Sequence, residues 1–248
     1  MTTLASLPVT AQTHQELKEN LARAYYILAN LGMDDLTYTH VSVRVPGEEA
    51  YYIYPLGLFY EEVRPDNLLK VSFGGKILEG NETSFNITGY TIHSTIYKAR
   101  SDLNALIHIH TIPGVSVSCL DEGLLPISQF SYHFYERMAY HGYDALTLDP
   151  ETQGSQLVKN LSSHKCMMLK NHGTLTAGAT LHEALFYTLF LEKACQVQLQ
   201  VLASGRPFTI PSHEVCVRAR DNMTAFESDI GLRDWLALVR TTKFPWES

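Results

Sequence analysis

Apolar residues recur at helical spacing early in the chain. Leu17, Leu21, Tyr25, Leu28 and Leu31 fall on one face of a helix over about His14 to Leu31, with Thr13 as its cap and Gly32 at its end. Short alternating runs follow at THVSVRV (39–45), YYIYPL (51–56) and LLKVSF (68–73), separated by the turn sequences PGEE and FGGK. Alternation of this kind predicts strands. Asn86 caps a second predicted helix through Arg100, and LNALIHIH (103–110) then reads as a strand. Two further apolar runs, LLPISQF (124–130) and KCMMLKN (165–171), are also predicted strands. Thr180, with Glu183 three residues on, starts a long helix to about Ala203 in capping-box style, and Gly205-Arg206-Pro207 closes it. A last helix carries Leu232, Trp235, Leu236, Leu238 and Val239.

Helices at both ends and in the middle, with strands clustered between, predict an α/β fold with helices packed on both faces of a mixed or antiparallel sheet. Strict strand–helix alternation is missing, which argues against a doubly wound nucleotide fold. No repeat, low-complexity segment or long linker divides the chain, so residues 1–248 read as one domain.

Charge narrows the class of partner. The net charge is −7 and no run of Lys and Arg occurs, so neither nucleic acid nor an anionic membrane is an expected partner. No apolar stretch reaches spanning length, and the first twenty residues lack the basic start and apolar core of a signal peptide, which points to the cytoplasm. Four single cysteines, Cys119, Cys166, Cys195 and Cys216, form no Cys-x-x-Cys pair and read as small hydrophobes in a reducing compartment.

The strongest chemical signal is Ile107-His108-Ile109-His110. On a strand, residues two apart share a face, so two imidazoles stand side by side and each demands polar partners. One metal ion satisfies both. His172, in Lys170-Asn171-His172-Gly173, follows an apolar strand and supplies a third ligand, with Gly173 allowing a sharp turn. Three histidines leave one tetrahedral position for water or substrate, the pattern of a catalytic site. His93, on the helix that runs into this strand, is a fourth ligand, an acid/base or a polar packing residue.

At these residues the chain resembles the class II aldolase/adducin family. The matching stretches are THVSVRVPG (39–47), YPLGLFYEEV (54–63), GYTIHSTIYKARSDLNALIHIHT (89–111), LLPISQ (124–129) and KNHGTLTAG (170–178), in family order. The resemblance implies a three-layer α/β/α fold with a central, mostly antiparallel sheet. It implies a divalent metal on His108, His110 and His172, zinc first, with manganese or iron as alternatives. It also implies a small-molecule substrate and a homo-oligomer, a tetramer favoured, with active sites between subunits. His40, Ser42, Gly57 and Tyr60 fall on the segments that the family places near its substrate.

The departures bear on the reaction. Sugar-phosphate aldolases of this family carry a Glu one helical turn before the position of His93; here that residue is Gly89. Their Gly-Asn loop is replaced by Thr39-His40, and their phosphate-gripping serine by Leu56. PLGLFYEEV with GYTIHS is closest to the adducin branch and its bacterial relatives, whose adducin members lack a full histidine set, whereas this chain keeps all three. With Gly89 in place, His93, Tyr132 or His133 is expected to handle the proton. Decarboxylation relaxes that demand, because loss of CO₂ needs no prior removal of a carbon-bound proton. The expected function is therefore a metal-dependent carbon–carbon lyase, by aldol cleavage or decarboxylation, acting on a small oxo- or hydroxy-acid or a sugar-derived substrate. The alternative is a non-catalytic, adducin-like binding or assembly module.

Overall fold

A computed structural model describes residues 12–81 and 84–247. Residues before position 12, where most of the stretch lacking leader character lies, are outside the described residues.

The first helix, α1 (His14–Asn30), forms where the periodicity places it. Both halves of its capping box are made: the Thr13 hydroxyl accepts from the Glu16 amide at 3.2 Å, and the Glu16 carboxylate accepts from the Thr13 amide at 2.7 Å. Its apolar stripe buries Leu17, Leu21, Tyr25 and Leu28. Strands β1 (His40–Arg44), β2 (Ala50–Ile53), β3 (Leu69–Ser72) and β4 (Ile77–Glu79) follow. Next come α2 (Ile87–Ala99), β5 (Ala105–Ile109), α3 (Ile112–Ser118) and a 3-10 turn at Ser131–Phe134. The remainder is β6 (Met138–His141), α4 (Ser155–Leu161), β7 (Cys166–Leu169), β8 (Gly173–Gly178), α5 (Leu181–Ala203), α6 (His213–Phe226) and α7 (Leu232–Thr241).

The eight strands form one sheet in the order β4-β3-β2-β1-β5-β8-β7-β6. Every pairing is antiparallel except β6 with β7. Helices α1 and α5 pack against the sheet and each other, with α3 and α7 on α5, while α2 and α4 pack together with β1 and β6. This is the expected three-layer α/β fold with a mostly antiparallel sheet. Register sets up the chemistry: β1 crosses β5 with His40 opposite His108 and Ser42 opposite Leu106. Side chains directly opposite in an antiparallel pair share a face, so His40 and His108 become neighbours.

Several expectations are corrected. LLPISQF is not a strand. Pro126 has no amide to donate, and the side chains of Tyr140 and Gln198 bond the amides of Leu124 (3.1 Å) and Leu125 (2.7 Å) in place of a ladder. Strands β4, β6 and β8 and helices α3, α4 and α6 were not legible as elements. Glu183 does not close a capping box, because it accepts from the Ala179 amide at 2.7 Å and pairs with Lys165 at 2.6 Å. Cys166, Cys195 and Cys216 are buried and free, as small hydrophobes should be, but Cys119 is exposed.

Candidate metal centre

Three local structures converge on one point. His108 lies on β5, His110 follows its last residue, and His172 sits in the turn joining β7 to β8. That turn is a three-residue hairpin loop in which Leu169 pairs with Gly173 and Asn171 takes the left-handed conformation (φ 57°). Asn tolerates this backbone better than most residues. Gly173 is required for a different reason from the expected sharp turn: a Cβ there would lie 2.5 Å from the Ile109 carbonyl oxygen and 3.0 Å from His110 Cδ2. Close approach of the hairpin to β5 brings His172 to the other two histidines.

The ring centroids of His108, His110 and His172 are 4.6–4.8 Å apart, and one nitrogen from each lies within 4.8 Å of the others. Hydrogen bonds fix two of the tautomers. His108 Nδ1 is 2.9 Å from the Thr174 carbonyl oxygen, and His110 Nδ1 is 2.9 Å from Asp35 Oδ2. A carbonyl and a carboxylate only accept, so both Nδ1 atoms carry a hydrogen, and each ring that is otherwise neutral presents a bare lone pair on Nε2. Those two Nε2 atoms face each other at 2.9 Å. Two acceptors at that distance repel unless a cation lies between or beside them. A proton on His108 or His172 is disfavoured, because burial and the neighbouring imidazoles hold His108 well below the ordinary histidine range, and burial pushes His172 down to about 4. The donor set fits a divalent transition metal: three imidazoles with ring nitrogens converging on one point, and a carboxylate behind one ring.

Asp35 was not found from the sequence. The signal available, an Asp34-Asp35 pair between Gly32 and Thr39-His40, gives no register to His110. In the structure its loop is pinned from the core. The Tyr54 hydroxyl lies 2.7 Å from the carbonyls of Thr37 and Thr39, and the Tyr60 hydroxyl donates to Thr39 Oγ1 at 2.7 Å. Leu36, beside Asp35, adopts φ 51°, a conformation costing a side-chain-bearing residue roughly 1–2 kcal/mol. Local strain of this kind persists where surrounding contacts over-determine it.

Beside the triad lies a second, sealed histidine group. His40 Nδ1 is 2.9 Å from His93 Nε2, His93 Nδ1 is 2.5 Å from Ser42 Oγ, and Ser42 Oγ is 2.8 Å from the Tyr97 hydroxyl. All four residues are buried. Burial, with the field of His108, pushes His93 down to about 3; burial and the charges of His93, His110 and His172 hold His40 well below its usual range. Both nitrogens of His93 are committed, so His93 stands behind His40 rather than at the triad. The His40 ring, 5.0 Å from that of His108, is the one that borders the metal position.

The other expected site residues are placed as follows. Tyr60 is fully buried against Tyr25 and Tyr54 and supports the loop carrying Asp35. Gly57 adopts φ 103° in an open loop between exposed Leu56 and Phe59. His133 packs edge-on against Phe186 and Phe190 of α5, at 5.1 and 5.0 Å, and its burial pushes it down to about 4. Among the described residues no hydrogen bond or ring contact joins Tyr132 or His133 to the triad of the same chain. An aromatic residue not anticipated does reach it: the Tyr143 ring is 6.4 Å from that of His172. A groove of about 480 Å³ between α5 and α7, lined by Phe186, Phe190, Arg233 and Trp235, touches none of the triad.

Comparison with known proteins shows the family. A family model described as the class II aldolase and adducin N-terminal domain matches residues 19–199. The chain is similar to the solved aldolase II superfamily protein from Pseudomonas syringae, with 37% identity over 93% of each chain and a TM-score of 0.84. It is also similar to the L-fuculose 1-phosphate aldolase from Glaciozyma antarctica PI12, with 30% identity, 90% of this chain and 86% of that one covered, and a TM-score of 0.78. Alpha-adducin of Rattus norvegicus is 39% identical over 187 residues, which span 73% of this chain but 25% of the adducin.

Proposed function

Because the chain belongs to the class II aldolase and adducin family, we propose that it is a metal-dependent carbon–carbon lyase, acting by aldol cleavage or decarboxylation on a small oxo- or hydroxy-acid or a sugar-derived molecule. The observation that carries this reading is the facing pair of Nε2 atoms of His108 and His110, 2.9 Å apart with His172 beside them. His108, His110 and His172 would hold a divalent ion, zinc in the first instance, with manganese or iron as alternatives. The Thr174 carbonyl and the Asp35 carboxylate keep the first two rings turned inward. A metal bound there supplies Lewis-acid polarisation of a substrate carbonyl.

This chain's own residues handle the rest. Gly89 brings no carboxylate, so His40, a titratable side chain beside the triad, is the one we assign to hold or release a proton, at Nε2, with His93 and Ser42 fixing its orientation. The hydroxyl-free loop at Leu56 and Gly57 does not favour a phosphate group on the substrate. Tyr132 and His133 lie away from their own triad and serve the reaction only across a subunit boundary, in a homo-oligomer for which a tetramer is the favoured form. No helix among the described residues is long and apolar enough to cross a membrane, and we place the protein in the cytoplasm.

A second reading, a non-catalytic binding or assembly module, is favoured by Gly89 together with the 39% identity to alpha-adducin. The two separate on incubation of metal-loaded protein with a panel of oxo- and hydroxy-acids. Carbon dioxide without an aldehyde identifies a decarboxylase, and an aldehyde identifies an aldolase. No turnover across the panel, by protein that also fails to retain metal, supports the module.

A further inference from the structure

Two loops reach the triad. One carries Asp35, which bonds His110, and the other carries Tyr143, whose ring lies edge-on to that of His172 at 6.4 Å. Both hold large apolar side chains out in solvent. Leu36 and Tyr38 are each 60% exposed on the first loop, and Tyr143, Leu146 and Leu148 are 59%, 63% and 51% exposed on the second. A single exposed apolar residue is ordinary, but several of them on the loops that border one site mark a binding surface.

The second loop is firmly built. The side chain of Gln153 alone bonds three of its backbone groups: its amide donates to the Asp144 carbonyl at 2.7 Å, and its oxygen accepts from the amides of Leu148 and Asp149 at 2.8 and 3.2 Å. Ala145 is held at φ 55°, a conformation that a residue with a Cβ rarely adopts. The turn that follows packs on α2 so closely that a Cβ on Gly154 would lie 2.6 Å from Thr95 Oγ1. Tyr143 is thus set beside His172 before any ligand arrives, and little ordering remains to oppose binding against it. The cleft between this loop and the His172 turn, where His141, Asp144 and Lys170 also lie, holds about 10 Å³, the room of one water. A larger ligand does not enter that cleft and meets the exposed part of the Tyr143 ring instead. The face of that ring is matched by an aryl or branched alkyl group.

We propose that Tyr143 is a specificity-determining residue, and that the ligand of the metal centre is an oxo- or hydroxy-acid bearing an aryl or branched alkyl group that packs on the Tyr143 ring. This rests on the metal reading above, and the test separates the two. Cobalt(II) is added to tag-free, metal-stripped protein, and its uptake is read by absorption and by competition with a chelator. Acetohydroxamate and benzohydroxamate, chelating probes that differ only in their apolar group, are then titrated into the cobalt protein. Wild type takes up one cobalt per chain and binds benzohydroxamate about 10-fold more tightly than acetohydroxamate, the scale of a partly covered phenyl ring. Tyr143→Ser, at an exposed position, keeps cobalt and keeps acetohydroxamate affinity within about threefold, but the preference for benzohydroxamate falls to about twofold or less. Tyr143→Phe retains the preference, since the ring face and not the hydroxyl makes the contact. Equal binding of the two probes by wild type, or a preference that Tyr143→Ser leaves intact or Tyr143→Phe abolishes, overturns the inference. So does a parallel loss of both probes with a change of oligomer size in sedimentation, which makes the loop a contact between copies of the chain. Failure of wild type to take up cobalt overturns the metal reading, and this inference with it.

Discussion

The triad of His108, His110 and His172 and the pair of His40 and His93 meet across one rung of the sheet, where His40 faces His108. They handle the burial of imidazoles in opposite ways. In the pair, each shared nitrogen finds a protein partner, through Ser42 and on to Tyr97, and the chain of hydrogen bonds closes without outside help. In the triad, the Nδ1 atoms of His108 and His110 are satisfied and their Nε2 atoms are set against each other. His93 is a finished piece of core with both nitrogens bonded, whereas the triad is completed only by a cation. The same residue type thus signals structure in one place and binding in the other, and the difference lies in where the second nitrogen goes.

The largest expected effect comes from breaking the finished side. His93→Ala removes a buried ring, leaves His40 Nδ1 unpaired and takes one of two partners from Ser42 Oγ, so the metal-free protein should lose about 3–5 kcal/mol in urea unfolding. His172→Ala, at the partly exposed and unfinished side, should change metal-free stability by less than about 1 kcal/mol. Equal losses from the two variants would erase the contrast.

Acid should weaken the fold through the same sealed group. His93 stays neutral in the folded chain down to about 3, while the unfolded chain takes its proton near 6.5. The folded pKa is depressed, so the stability is fully present above 6.5 and is lost progressively as pH falls from 6.5 towards 3. His172, pushed to about 4, adds to the loss over the upper part of that window when no metal is bound. The unfolding free energy of metal-free protein should fall by on the order of a few kcal/mol between pH 7 and pH 4, and His93→Gln should flatten the profile.

Gly89→Ala sharpens the comparison at the border between the groups. Its Cβ would press on His40 at 2.8 Å, and the overpacking should cost about 1–3 kcal/mol in the same unfolding assay. Asp35→Asn has the smallest expected effect on stability, under about 1 kcal/mol, because it touches only the open side. It should nonetheless weaken metal affinity by about 10- to 100-fold in chelator competition, since His110 loses the group that fixes its tautomer.

Much of this was legible in the sequence because period and caps speak locally. α1, α2 and α5 begin at the caps Thr13, Asn86 and Thr180, and the triad followed from His-x-His on a strand together with an Asn-His-Gly turn. β8 and α4 were not seen, because GTLTAG and SQLVKNL are short and carry no period distinct from their flanks. Asp35 and the filling of Gly89 by His40 depend on register between elements far apart in the chain, which no local pattern records. His93 was visible as a chemical residue, but its position behind His40 was not, because a sequence does not show which of two imidazoles on converging elements lies nearer the opening.

Elemental mass analysis of protein purified without a metal-affinity tag, on wild type and on the His108→Ala/His110→Ala variant, tests the central claim most directly. The account predicts about one zinc, manganese or iron per chain in wild type and none in the variant. Wild-type protein that carries no metal and takes up none on titration would contradict it, and would leave the binding or assembly module as the better description.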